Sequence, residues 1–320
     1  MGGREGGSAE SDVKNDIVCS AESGMKNSIV CSDDIRRKSG NKFHAEISMR
    51  YRSGRSTKNR AENSRRYHLL DTLRGISFVN MVAYHAVWDL VYLYGFRWGW
   101  YKSNVGFVWQ QYICWSFILL SGFCQPLGHK SLRRALQVFG SGALVTAVTV
   151  LFLPDERILF GVLTFLGSAM LLLILFQSCL KECRKRLSRA GMSAAGNRPA
   201  VGLVCSVVLF VLTRNVNEGS LGFAGWNWQK LPAAWYRNLG TAYLGFPPGS
   251  FYSADYFSLL PWFFLFLCGL FLYYLLEKRK KLEFLKRGGC RPLEWIGRHT
   301  LILYLLHQPV IWILLQLLLG

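Results

Sequence analysis

Charge is what long stretches of this chain lack. Val105–Cys124, Ala135–Leu153, Ile158–Leu180, Ala200–Thr213, Ser258–Leu276 and Thr300–Leu319 hold no Asp, Glu, Lys or Arg, and Ile76–Tyr94 holds only Asp89. A water-soluble domain would intersperse its apolar positions with charge, so that class is excluded. Alternation is missing too. The runs are continuously apolar, which argues against barrel strands and for helices, since helices satisfy their own backbone groups in lipid. No Gly-rich phosphate loop, G-x-S-x-G elbow, H-E-x-x-H pair or dinucleotide fingerprint occurs, which removes the enzymes that carry those signatures. None of the nine cysteines forms a C-x-x-C pair, and Cys179 and Cys183 stand four apart. Reduced thiols and no metal site are the expectation. The polar N-terminal stretch does not read as a signal peptide, which leaves the first apolar run to serve as an uncleaved anchor.

What is there is the set of seven apolar runs. A bilayer core of ~30 Å takes ~20 helical residues to cross, and all but the short fifth run approach that length. They predict an all-α polytopic transmembrane bundle of about seven helices. The net charge of +19 is distributed along the chain in a pattern. Lys and Arg number six in 55–74, three in 125–135, six in 181–198 and eight in 278–298. The alternate connections hold two, one and three. Basic residues bias loops to the cytoplasmic side, so the N-terminus is expected inside and the C-terminus outside. The basic excess therefore reads as a topology signal with attraction to anionic membrane lipid, not as a nucleic-acid surface.

Residues 1–66 are rich in Gly, Ser, Asn, Lys and Arg without apolar periodicity, and read as a disordered basic cytoplasmic leader. They contain a short duplication, Lys14–Ser20 echoed by Lys26–Ser32. Residues 67–320 read as one membrane domain. Its long external segment, 214–257, is crowded with Trp, Tyr and Phe, as suits an interfacial belt or a lid over a substrate.

Polar groups inside a bilayer are costly, turn inward and mark functional sites. Three ionisable residues lie at depth: His85 and Asp89 in the first run, His307 in the last. Ser77, Met81, His85 and Asp89 recur at i, i+4 spacing and form an inward stripe. At ~1.5 Å per residue His85 lies about 15 Å from the basic end of its helix and His307 about 10 Å from the same side. The two imidazoles are thus expected to share a cavity between neighbouring helices. A carboxylate one turn from a histidine suits a general base, or equally a structural histidine. Arg74 and Arg298 stand at the basic ends of these two helices, where they anchor the membrane or bind phosphate.

Leu70-Asp71-Thr72-Leu73-Arg74-Gly75-Ile76, Met81-Val82-Ala83-Tyr84-His85 and Asp89-Leu90 resemble the opening of a bacterial membrane family, that of heparan-alpha-glucosaminide N-acetyltransferase catalytic-domain proteins. The likeness continues through Ser121-Gly122, Ser131-Leu132-Arg133-Arg134, Phe160-Gly161-Val162-Leu163 and Gly167. Ala254-Asp255-Tyr256-Phe257, Leu260-Pro261-Trp262 and Ile296-Gly297-Arg298-His299-Thr300-Leu301 through Tyr304, His307, Gln308 and Pro309 complete it. Thr164 stands where many relatives carry His, and Ser258 where Pro is usual.

The resemblance implies transfer of an acetyl or small acyl group from cytoplasmic acetyl-CoA, a donor substrate and not a resident cofactor. The acceptor would be a glycan or small-molecule hydroxyl or amine, and heparan itself does not carry over. Arg74 and His85 are the positions the resemblance associates with activity. On this reading His85 is general base or transient acyl carrier, with Asp89 orienting it and His307 assisting. Arg74 and Arg298 hold the CoA phosphates, and Asp255 and Trp262 take the acceptor. A bacterial plasma membrane is the expected location. Two other readings stand beside it: a proton-coupled transporter using His85, Asp89 and His307 as relay, and a catalytically inactive scaffold, prompted by Thr164.

Overall fold

The computed structural model describes residues 67–128, 130–189 and 198–319. The leader 1–66, with its duplication, lies outside the described residues. Nine α-helices and one two-stranded hairpin occur among those described. They are α1 (His68–Tyr92), α2 (Asn104–Cys124), α3 (Ser131–Phe152), α4 (Val162–Arg189), α5 (Pro199–Thr213), β1 (Ser220–Phe223), β2 (Trp226–Lys230), α6 (Leu239–Leu244), α7 (Trp262–Lys278), α8 (Arg291–Arg298) and α9 (Thr300–Leu319).

Each apolar run forms a helix, and five helical segments are long and apolar enough to cross a membrane: Asn104–Leu127, Ser131–Phe152, Val162–Leu180, Pro199–Glu218 and Thr300–Leu319. Two runs fall outside that set for different reasons. Helix α1 has 25 residues, but Asn80, His85 and Asp89 lower its apolarity. Helix α7 is strongly apolar but has only 17 residues. The predicted run Ser258–Leu276 begins as irregular chain, and its helix starts after Pro261, a residue that suits a helix start because it has no N–H to leave unpaired. The run from Ile158 likewise turns at Phe160, whose φ of 58° precludes a helix there, before α4 begins at Val162. Helix α8 was hidden in the basic connection before the last run.

Small residues decide which helices meet. A Cβ on Gly122 would lie 1.9 Å from the Phe266 carbonyl oxygen, and one on Gly269 would lie 2.1 Å from that of Leu119, so α2 and α7 touch backbone to backbone. Helices α3 and α4 do the same through Gly142 against Thr164 and Gly167 against Phe139. Helices α1 and α8 do so through Gly75 against Leu293 and Gly297 against Asp71. In lipid no hydrophobic force draws helices together, and close approach over small residues supplies the packing instead. The core between them is capped by Phe165 and Phe266, both fully buried. Outward, the helices present Leu151, Phe152, Leu317 and Leu318, each about three-quarters exposed, a surface that water would not tolerate over this extent.

Helix α1 packs against α2, α8 and α9, and α5 lies on α7 with β1 at its end. The hairpin pairs β1 and β2 antiparallel, with a bulge between Leu221 and Gly222. Here Trp226 is 74% and Trp228 52% exposed, so these rings face outward as an interfacial belt does.

Candidate active site

Helix α1 carries polar residues into the interior, and they have distinct fates. Asn80 donates to the Ile76 carbonyl (2.9 Å) and accepts from the Trp109 indole (3.2 Å), fastening α1 to α2. His85 faces α9, where its ring centroid lies 5.0 Å from that of His307, the planes inclined at 59°. Tyr84 packs edge-on to His85 and Phe78 edge-on to His307. The two imidazoles, expected to share a cavity, are thus brought side by side across the contact of α1 with α9.

The hydrogen bonds differ from expectation. Asp89 is fully buried, yet both its oxygens accept from Gln308 Nε2, at 2.9 and 3.2 Å. No hydrogen bond joins Asp89 to His85 among the described residues. One helical turn brings the two residues to the same face, but the carboxylate reaches sideways to α9. Asp89 thus ties the two histidine-bearing helices together. His307 Nδ1 is bonded to the Tyr304 carbonyl, an interaction in which only the ring can donate. That fixes the neutral tautomer and leaves an Nε2 lone pair, buried and without a partner. Pro309, which lacks an N–H, leaves the backbone beside this ring short of one helical bond.

At the basic end, α1 and α8 are held so close by Gly75 and Gly297 that their charges interlock. Asp71 accepts from Arg74 (Nη1–Oδ1 2.8 Å) and lies 3.6 Å from Arg298 Nε. Glu294 accepts from Arg298 Nη2 (2.9 Å) and the Gly289 N–H (3.2 Å), and pairs with His68 Nδ1 (3.0 Å). The His68 hydrogen bond above all, with the other donors, holds the Glu294 carboxyl below its ordinary range despite its burial. Arg74 and Arg298 are brought together as the sequence suggested, but each already has a carboxylate.

At the opposite end, Asp255 Oδ2 accepts from the Val162 N–H (3.2 Å), so it sits at the N-terminus of α4, where negative charge is favoured. Burial pushes this carboxyl up to about 6, against that hydrogen bond. Asp255 acts electrostatically on Cys114 and on Tyr304, the latter one turn from His307. Trp262 is buried against Phe210 and Phe257, and its face is covered by the Arg214 guanidinium at 4.9 Å. Arg214 also donates to Gln111 (3.0 Å). Trp262 is therefore buried with the Arg214 guanidinium on its face. Thr164 lies against Gly142 in the α3–α4 contact with its hydroxyl unpartnered, and Ser258 accepts from Asn217 (2.8 Å), tying the turn after α5 to the chain just before α7.

The sequence reading did not see Gln308 as the partner of Asp89 and gave no role to Glu294, Arg134 or Arg214. Glu294 had a local signal, four residues before Arg298 on one helical face. The His68–Glu294 pair, 226 residues apart, had none.

A family model described as heparan-alpha-glucosaminide N-acetyltransferase, catalytic, matches residues 66–195 and 197–309. No significant match occurs among curated proteins or among solved structures.

Proposed function

The chain belongs to the catalytic-domain family of heparan-alpha-glucosaminide N-acetyltransferase, a family of membrane acetyltransferases, and on that premise we propose that it moves an acetyl or other small acyl group from cytoplasmic acyl-CoA to a glycan or small-molecule acceptor across the membrane. Seven helices cross a bacterial plasma membrane in this reading, with Arg74 and Arg298 at the cytoplasmic face and Asp255 outside. The observation that carries it is the pair of facing imidazoles, His85 and His307, set between a cationic end and an end holding Asp255 and Arg214.

Arg74 binds the CoA phosphates with Arg298 beside it, through N–H groups not used by Asp71 and Glu294. The thioester carbonyl comes to lie at the histidine pair. An imidazole nitrogen removes the proton as the acceptor oxygen or nitrogen bonds to the carbonyl carbon. The carbon–sulfur bond breaks, and the CoA thiolate takes a proton back from imidazolium. His85, which makes no hydrogen bond among the described residues, acts as the base or carries the acyl group transiently. His307, its tautomer set by the Tyr304 carbonyl, offers the second nitrogen. A positioned base of this kind contributes about 10²–10⁴-fold. Asp89 positions His307 through Gln308, and Asp255 orients the acceptor, with Trp262 acting through Arg214.

Membranes bearing wild type or His85→Ala, supplied with labelled acetyl-CoA, test this. Incorporation is expected to fall at least about a hundredfold in the variant; equal incorporation would remove His85 from the chemistry. The Asp89–Gln308 link beside two histidines also suits a proton-coupled carrier. CoA-independent uptake driven by a pH gradient in proteoliposomes would favour that reading.

A further inference from the structure

The three arginines at the cytoplasmic mouth are not equivalent. Arg74 and Arg298 each have a carboxylate within 3 Å. Arg134, in the first turn of α3, has only the neutral oxygens of Gln125, at 2.6 Å to Oε1 and 3.4 Å to the carbonyl. Its Nε is buried with no partner, and no ion pair reaches it among the described residues. Arg74 and Arg134 act electrostatically on each other and on the buried thiol of Cys124, so two cations converge there. Helix α3 begins at the same place with no side-chain cap on its first N–H groups, which adds positive potential.

A guanidinium taken partly out of water beside a like charge is unfavourable unless an anion completes it. We infer that Arg134, with Arg74, is the principal phosphate-binding site for the donor, and that Arg298 serves mainly to brace α8 against α1. This rests on the acyl-CoA reading above. Arg134 can meet phosphate oxygens through several N–H groups: Gln125 holds Nη2, and Nη1 and Nε, whose N–H bonds point along different edges of the guanidinium plane, remain to donate. The same chemistry would accept the phosphate of an anionic lipid headgroup.

Gly128 provides a way to move the guanidinium without removing its charge. A Cβ there would lie 2.5 Å from Arg134 Nη1, the end of a flexible side chain that can give way. Full-length protein in detergent, as wild type, Arg134→Gln, Arg134→Lys, Gly128→Ala and Arg298→Gln, is titrated with CoA and with pantetheine, which lacks the phosphates. Arg134→Gln is expected to weaken CoA binding about tenfold or more, Gly128→Ala and Arg134→Lys by several-fold, and Arg298→Gln by less. Pantetheine binding should be the same in all. If Arg134→Gln does not fold, Gly128→Ala carries the test. Wild-type affinity for CoA in both Arg134→Gln and Gly128→Ala overturns the inference and leaves the donor reading standing. Failure of wild type to bind CoA overturns that reading. In that event, Arg134-dependent thermal stabilisation by phosphatidylglycerol over phosphatidylcholine in nanodiscs assigns the site to a lipid headgroup.

Discussion

The basic end of helix α1 and its middle are built on opposite principles. At the basic end the charges of Asp71, Arg74, Glu294, Arg298 and His68 answer one another over distances of 2.8 to 3.6 Å. Eleven residues beyond Arg74 the imidazoles of His85 and His307 meet in the interior, and His307 Nε2 is left there without a partner. The first region meets its hydrogen-bonding demands and so fixes geometry. The second leaves a buried lone pair unmet, a costly arrangement that calls for an explanation, and use in chemistry is the one proposed. An interlocked collar thus sets the spacing of two helices, and the less satisfied site between them is where reaction is proposed.

The harshest way to break this contrast is to pry the collar open. Gly297→Val would drive side-chain carbon into the Asp71 backbone, 1.9 Å from where its Cβ must go. Overpacking of this type costs about 1–3 kcal/mol, and the expected result is poor yield of folded protein by size-exclusion chromatography together with lost transfer. Normal yield and activity would show that the α1–α8 contact positions nothing.

Removing one partner within the collar is milder. Glu294→Ala leaves His68 and Arg298 without their shared acceptor, and about 1–3 kcal/mol of stability should be lost, read as a lower midpoint of thermal unfolding. Activity per folded molecule should change little, because the contrast assigns Glu294 to structure. The folded carboxyl is held below its ordinary range, so its contribution is present at neutral pH and fades as pH falls through the ordinary Glu range toward the folded value. Wild type should therefore lose more stability on acidification than Glu294→Gln does.

Asp255 sharpens the comparison from the other side, because burial raises its carboxyl to about 6. The fold favours the neutral form, so this group's contribution is fully present at acid pH and is lost as pH rises through about 6. Asp255→Asn cannot ionise, and its thermal midpoint should gain on wild type as pH goes from 5 to 7. A constant difference across that interval would show that Asp255 does not titrate as its burial dictates. The smallest effect is expected at the exposed belt. Trp226→Ala, at a ring 74% exposed, should alter stability in detergent by no more than about 0.5 kcal/mol.

Much of this arrangement was legible along the chain. Helical periodicity put His85 on an inward face, and the rise per residue put His307 at a matching depth, so their meeting followed from two helices running side by side. The glycines that set the contacts were visible as letters but not as pairs: nothing local says that Gly75 and Gly297 press on each other's helices. Asp89 misled for a related reason. Spacing gives the face of a helix, whereas the direction of a carboxylate depends on a partner, Gln308, lying 219 residues away. Arg133 and Arg134 were indistinguishable in sequence, and only the approach of α2 sets Arg134 against Gln125 and Cys124.

The central claim is that His85 and His307 act as one chemical unit. A double-mutant cycle of acyl transfer, comparing wild type, His85→Ala, His307→Ala and the double variant at equal membrane expression, measures this directly. Groups that work as a unit are non-additive, so the double variant should be hardly slower than the worse single variant. Losses that multiply would mean that the two rings, 5.0 Å apart, contribute independently, and the account of a shared centre would be contradicted.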